Sequence, residues 1–170
     1  EFLQYYVGLM SARALDMNLS PFEGKVGQKI LPSLVSLRDD PTHPGLISYP
    51  YNFDGHLYGT VPLIEQGVFR NFLVDNYYGR KTGLEKNGAS SLCLVFQTGD
   101  TPLQQMIAGV ERGLYVSSLH YMNYINPKET SVTGLTRDGT FLIENGKLAR
   151  VVNNLRYTQR IAEILERIVQ

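Results

Sequence analysis

The stretch TRDGTFLIENGKLARVV, Thr136 to Val152, holds two turn signals in quick succession. Asp138-Gly139 and Asn145-Gly146 are both dipeptides that accept positive φ in a tight hairpin turn, and the short apolar run Thr140 to Ile143 lies between them. A second stretch, VPLIEQGVFRNFLV from Val61 to Val74, repeats the device, because its Leu-Ile-Glu-Gln-Gly echoes Leu-Ile-Glu-Asn-Gly at 142–146. Strand–turn–strand units of this kind predict antiparallel pairing, in which neighbours are joined by short turns rather than by crossover helices.

Three helices are expected around these hairpins. Phe2, Tyr5, Tyr6, Leu9 and Met10 recur at helical spacing and predict a helix over 2–15. In DTPLQQMIAGVERGLYV, Thr101 is a good N-cap and Pro102 suits the first helical position. Leu103, Met106, Ile107 and Val110 form one apolar stripe, and Gly113 sits where a left-handed C-cap is wanted, so a helix is predicted over 102–112 with its stripe buried. Ile161, Ile164, Leu165 and Ile168 predict a closing helix at about 158–169. Strands are expected at 34–37, 46–51, 56–64, 67–75, 92–96 and 114–125, then on both sides of Asp138-Gly139 and Asn145-Gly146 to about 152. The segments 19–29, 38–45 and 76–91 read as loops, the last as a mobile surface loop. This order argues for an α+β fold, with a mainly antiparallel sheet built from hairpins and packed with about three helices. Residues 1–170 read as one domain. The chain begins at Glu1-Phe2 without Met, which is the expectation for part of a longer protein.

Composition narrows the function classes. With 170 residues, 43% of them apolar, the chain has enough material for a buried core. Lys plus Arg number 16 and so do Asp plus Glu, giving zero formal net charge and no basic footprint for nucleic acid. No apolar run reaches the length of a membrane span and no signal peptide is visible, so neither nucleic acid nor membrane is expected as a partner. The single Cys93 rules out an internal disulfide framework and fits a reducing compartment.

No catalytic constellation assembles from the residues. Zinc proteases often carry two histidines one helical turn apart, whereas His43, His56 and His120 are far apart in sequence. Asp39, Asp40 and His43 have ligand chemistry, but their Pro-rich setting favours a plain turn. His120 alternates with Tyr121 and Tyr124 and reads as a half-buried strand histidine. Cys93, between Leu92 and Leu94, reads as a buried inert thiol. Glu65 and Glu144 occupy equivalent hairpin ends, where a carboxylate faces water. The glycines at 24 and 27, or at 79, 83 and 88, match no phosphate-loop spacing. The strand 114–125 is apolar on both faces, with Leu114, Val116 and Met122 on one and Tyr115, Leu119, Tyr121 and Ile125 on the other. One face is expected against helices 102–112 and 158–169. The other is expected to meet a partner subunit or a peptide, or else a layer formed by the first helix and residues 19–51.

Five blocks in order carry a resemblance: SPFEGKVGQKI, LRDDP, FDGHLYGTVPLIEQGVFRNFLVD, TGDTPLQQMIAGVERGLYV and TGLTRDGTFLIENGKLARVVNNLRY. Through most of its length the chain resembles the C-terminal domain of the TldD/TldE family, in which TldE is also called PmbA. The resemblance implies an intracellular, hence cytoplasmic, peptidase system. Its two related subunits assemble together, TldD carries zinc on a His-Glu-x-x-x-His helix, and flexible peptides are degraded or matured; an older label is modulator of DNA gyrase. In TldD the zinc helix precedes the block matched by SPFEGKVG. Here that position holds FLQYYVGLMSARALDMNL, with no His and with Asp16 as its only carboxylate. Tyr5, Tyr6 and Leu9 cannot supply ligands or a general base. TldD also places a thiol ligand late in its C-terminal region, and Cys93 lies in the wrong block. The resemblance therefore implies the non-metal, TldE-type partner, with no catalytic, cofactor or metal residue carried over. The expected partner is a second copy or a TldD-like paralogue, and the expected substrate is a peptide. The alternatives are a stand-alone hydrolase with another site, or a peptide-binding or structural module.

Overall fold

A computed structural model describes residues 1–87 and 93–168. Both Leu-Ile-Glu-x-Gly hairpins form as two-residue turns. Gln66 and Gly67 (φ 47° and 80°) join β2 (Val61–Glu65) to β3 (Val68–Phe69), and Asn145 and Gly146 (φ 50° and 75°) join β6 (Ser131–Glu144) to β7 (Lys147–Val152). Positive φ at both central residues gives the turn a twist that matches the strands it connects.

The two hairpins lie in different sheets. The first has the order β3-β2-β1-β4, with β1 at Leu37–Asp39 and β4 at Leu94–Phe96. In the second, β5 (Arg112–Asn126) pairs one edge of β6, while β7 and β8 (Arg156–Arg160) share its other edge end to end. All strand pairs within the sheets are antiparallel. Together with five helices among the described residues, this is an α+β fold.

Asp138-Gly139 departs from its turn signal. Both residues take positive φ (58° and 124°), yet they form a bulge inside β6 rather than a hairpin end. Val116 pairs with Thr140, but Ser118 pairs with Arg137, so β6 carries one extra residue there. A bulge needs the same permissive φ as a turn, and local sequence cannot separate the two. A second bulge, in β5 at Tyr121-Met122, offsets the first: His120 pairs with Leu135 and Asn123 with Thr133.

The helices are shorter and more numerous than expected. The predicted 2–15 helix is two, α1 (Phe2–Gly8) and α2 (Ala12–Asp16). It breaks at Ser11, whose backbone makes a bridge with Leu73 and whose hydroxyl accepts from Ala14 N to cap α2. The expected 76–91 loop begins with α3 (Asn76–Thr82), capped by Asp75 at Tyr78 N (2.7 Å) and ended by left-handed Gly83. Helix α4 (Leu103–Ala108) starts after Pro102, and Thr101 makes no cap bond. Met106 is 52% exposed, so the apolar stripe does not bury as a unit; Gly113 is no cap and lies within β5. Residues 156–160, of which 158–160 were expected to be helical, are strand β8, and α5 runs Ile161–Glu166. No strand forms over 46–51. The expected loop's last residues, 88–91, the first residue of the expected 92–96 strand and the end of the closing helix at 169 fall outside the described residues.

One core joins these parts. Tyr6, Phe22, Phe69 and Phe72 make a run of aromatic contacts with successive ring centroids 5.2, 5.2 and 4.9 Å apart. Helix α1 also reaches the second sheet, where the Tyr5 hydroxyl donates to Met122 O and the Tyr124 hydroxyl donates to Tyr5 O. Met122, Val132, Ile161 and Leu165 complete the same cluster. The first helix thus covers the end of the β5–β6 ribbon nearest Met122, a residue of the face expected against the other helices, while Tyr121 (75%) and Ile125 (55%), assigned to the opposite face, are exposed. The far half stays open: Leu114, Leu148 and Val151 are exposed.

Gly67 is the tightest point of the first sheet. A Cβ placed there would lie 2.0 Å from Leu31 O, whereas at Gly24, with a similar positive φ, it would meet nothing within 4 Å. Gly24→Ala is expected to cost about 1–2 kcal/mol from left-handed strain alone. Gly67→Ala should cost at least twice that, because the backbone of Leu31 must also move. Equilibrium denaturation of both variants checks the difference.

Candidate functional site

The residues that the sequence nominated do not converge. Asp39 is fully buried, and its Oδ1 accepts from Cys93 N at 3.2 Å. Asp40 accepts from Arg38 Nε (3.0 Å), Thr42 N (3.1 Å), Thr42 Oγ1 (2.7 Å) and Thr60 Oγ1 (3.1 Å). Its carboxylate thereby clasps the loop that leaves β1. His43 accepts from Gly45 N through Nδ1, which closes a turn. Asp40 and His43 are thus engaged in the turn after β1, whereas Asp39 ends β1 itself and reaches Cys93, 54 residues along the chain. Cys93 is a buried free thiol. Glu65 pairs with Arg70 (2.9 Å) in the first sheet, while Glu144 is exposed at the end of the second. Among the described residues, no three His, Cys, Asp or Glu side chains come together to hold a metal.

Two sites do assemble. The first lies between the paired bulges. Arg137 Nη1 stands 2.6 Å from His120 Nε2, and its Nε is 3.6 Å from Asp138 Oδ1. Ser118 Oγ donates to Asp138 Oδ2 at 2.8 Å. Tyr121, with φ 56° and 75% of its surface exposed, projects beside this cluster. Left-handed backbone is uncommon for an aromatic residue and is held here by the surrounding pairing. His120 is half-buried, as expected, but the sequence did not show its Arg137 partner.

The second is a groove along the first sheet, made of cavities of about 610 and 800 Å³ that share Ser33, Gln66 and Gln97. Lys29, Arg38, Arg70 and Glu65 line the former; Phe96, Asp100 and Met106 line the latter. Such a groove has dimensions suited to a flexible ligand with both polar and apolar groups.

An α+β domain of two antiparallel sheets, with a groove and no metal cluster among its described residues, is thus the class defined by this geometry. The chain belongs to the PmbA/TldD family: residues 1–170 match the family model of the PmbA/TldA metallopeptidase C-terminal domain. It is similar to a metalloprotease of Methanothermobacter thermautotrophicus, 25% identical over 160 residues, covering 88% of this chain and 35% of that protein. Metalloprotease PmbA of Escherichia coli O157:H7 is 24% identical over 149 residues, covering 85% and 32%. The chain therefore spans about a third of the length of these relatives. Among solved structures, TldE from Thermococcus kodakarensis superposes with TM-score 0.80 at 26% identity, over 94% of this chain and 39% of that one. A Bacteroides thetaiotaomicron protein carrying the modulator-of-DNA-gyrase label superposes with TM-score 0.83 at 26% identity, over 99% and 38%.

The family name implies a metal, and α1 offers no place for one. Phe2, Leu3 and Tyr5 pack against the core, Tyr6 and Val7 lie within it, and the helix contains no imidazole, thiol or carboxylate. Burial, then the nearby Glu166, pushes the Tyr6 hydroxyl well above the ordinary tyrosine range, so it stays a neutral phenol.

The Asp40 clasp has a pH signature. Hydrogen bonds from Thr42 and Arg38 hold its carboxyl down at about 2, against an ordinary 3.8. A depressed folded-state pKa contributes stability above 3.8 that is lost as pH falls towards 2. Asp40→Asn should therefore be less stable than wild type at neutral pH, with the gap closing between those two values. Denaturant midpoints measured across the acid range check it.

Proposed function

We propose that this chain is the non-catalytic, TldE-like part of a zinc-dependent peptidase system acting on flexible peptides in the cytoplasm. It pairs there with a TldD-like relative or with itself, and residues 1–170 serve as one unit. The observation that carries this reading is α1. At the place where the resemblance puts a zinc helix, this chain has aromatic and aliphatic side chains committed to the core. A helix so used contributes to shape and assembly, not to activation of water. The groove along the first sheet supports contact with peptide, and the exposed Tyr121 face supports contact with a partner.

Purified protein is expected to carry no stoichiometric zinc by elemental analysis, and to cleave an unstructured peptide only when mixed with a His-Glu-x-x-x-His relative. Tightly held zinc at one per chain, or cleavage by the chain alone, overturns the reading. Tyr121→Glu should weaken capture of that relative at least about tenfold, about 1.4 kcal/mol, by placing a charge in a buried contact. Its far-UV circular dichroism should match wild type, since the side chain stands clear of the core.

A further inference from the structure

Residues 46–58, LISYPYNFDGHLY, form a built projection. Asn52 N donates to His56 O (2.9 Å) and Tyr58 N donates to Pro50 O (3.0 Å). The Asn52 side chain accepts from both Asp54 N and His56 N (3.0 Å each), and Tyr51 bridges Leu57. Asp54 Oδ2 accepts from Asn76 N, which braces the tip against the start of α3. On this frame Ile47 and Phe53 are wholly exposed, at 103% and 110%, and Tyr49, Tyr51 and Leu57 are mostly so. Large apolar side chains held out by a hydrogen-bonded frame mark a contact surface, and the mixture of Tyr, Phe, Ser, Asn and Gly is one that adaptable protein-binding loops favour.

The second sheet carries a concave counterpart. A mainly apolar cavity of about 400 Å³ is lined by Phe2, Leu114, Val116, Leu119, Leu155 and Ile164, with Arg156 at the same site. Neither Asp54 at the tip nor Arg156 at the cavity makes an ion pair among the described residues. We propose that the Phe53 tip of one copy seats in this cavity of a second copy, with Asp54 meeting Arg156. The tip is convex, so it offers no channel for an extended peptide. Residues 41–69 contain no Lys or Arg to hold an anionic membrane surface. The contact is head to tail, so each copy keeps one tip and one cavity free for the next.

This specifies the self-association within the reading above, and the test keeps the two apart. Wild-type chain should show concentration-dependent association by sedimentation velocity. Phe53→Asp, which removes the knob, and Leu114→Glu, which spoils the cavity at an exposed position, should each raise the apparent dissociation constant at least tenfold with circular dichroism unchanged. An equimolar mixture of the two should recover dimers and nothing larger, because one variant keeps its cavity and the other its tip. A monomeric wild type, unaltered association of either variant, or a mixture that stays monomeric overturns the contact. So does flotation of wild type, but not of Phe53→Asp, with phosphatidylserine vesicles when neither protein self-associates. None of these results bears on pairing with a zinc-bearing relative, which its own capture assay decides.

Discussion

The backbone of Gly67 is the constraint on which the first half of the molecule depends. Its N–H donates to Val35 O, and its carbonyl accepts from both Ile30 N and Leu31 N. Two residues on, Phe69 N donates to Gln28 O while its carbonyl accepts from Gly27 N. The hairpin turn is thus the centre around which the irregular segment 27–35 is wound. Any side chain at 67 would push that segment away. With the segment fixed, Phe22 lies against Phe69 and Tyr6, and Val35 and Leu31 seal the core beside them. A turn chosen for its twist therefore also organises a loop that has almost no regular structure of its own.

What the sequence made legible follows from which signals are local. The echoed Leu-Ile-Glu-x-Gly units were readable because positive φ at two adjacent positions is demanding and few dipeptides supply it. The same logic misled at Asp138-Gly139, since a bulge within a long ribbon makes the same demand. Helix α3 carries ordinary start and stop signals in Asp75, Gly83 and the basic Arg80 and Lys81 of its last turn, but the absence of an apolar stripe masks them. Ser11 broke the first helix through a bridge to Leu73, a partner 62 residues away that no window of sequence reveals. At α4 the stripe was real in sequence, but tertiary placement left Met106 in solvent.

The candidate sites were less legible than the fold. His120 was singled out as a strand histidine, yet its relation to Arg137 exists only because two bulges set residues 118–120 against 135–137. The groove along the first sheet draws Lys29, Arg38, Arg70 and Asp100 from four separate segments, with no motif joining them. The absence of ligating side chains from α1 was visible at once, because it needs only residue identity at positions that a family resemblance supplies. Packing accounts for the aromatic residues of α1: Phe2 meets Tyr157 and Tyr5 meets Tyr124 in the second sheet, and Tyr6 meets Phe22.

Two of the three register shifts in the β5–β6 ribbon behave as an insertion and its suppressor. An extra residue at Asp138-Gly139 displaces the pairing by one, and an extra residue at Tyr121-Met122 on the opposite strand restores it. Loss of either residue alone would throw all the pairs on one side out of step, setting core positions against solvent positions. Loss of both would leave the flanking pairs as they are. A lineage can therefore gain or shed this short out-of-phase patch only through coupled changes in segments 17 residues apart. Once present, the patch is locked in place by the register of the strands that flank it.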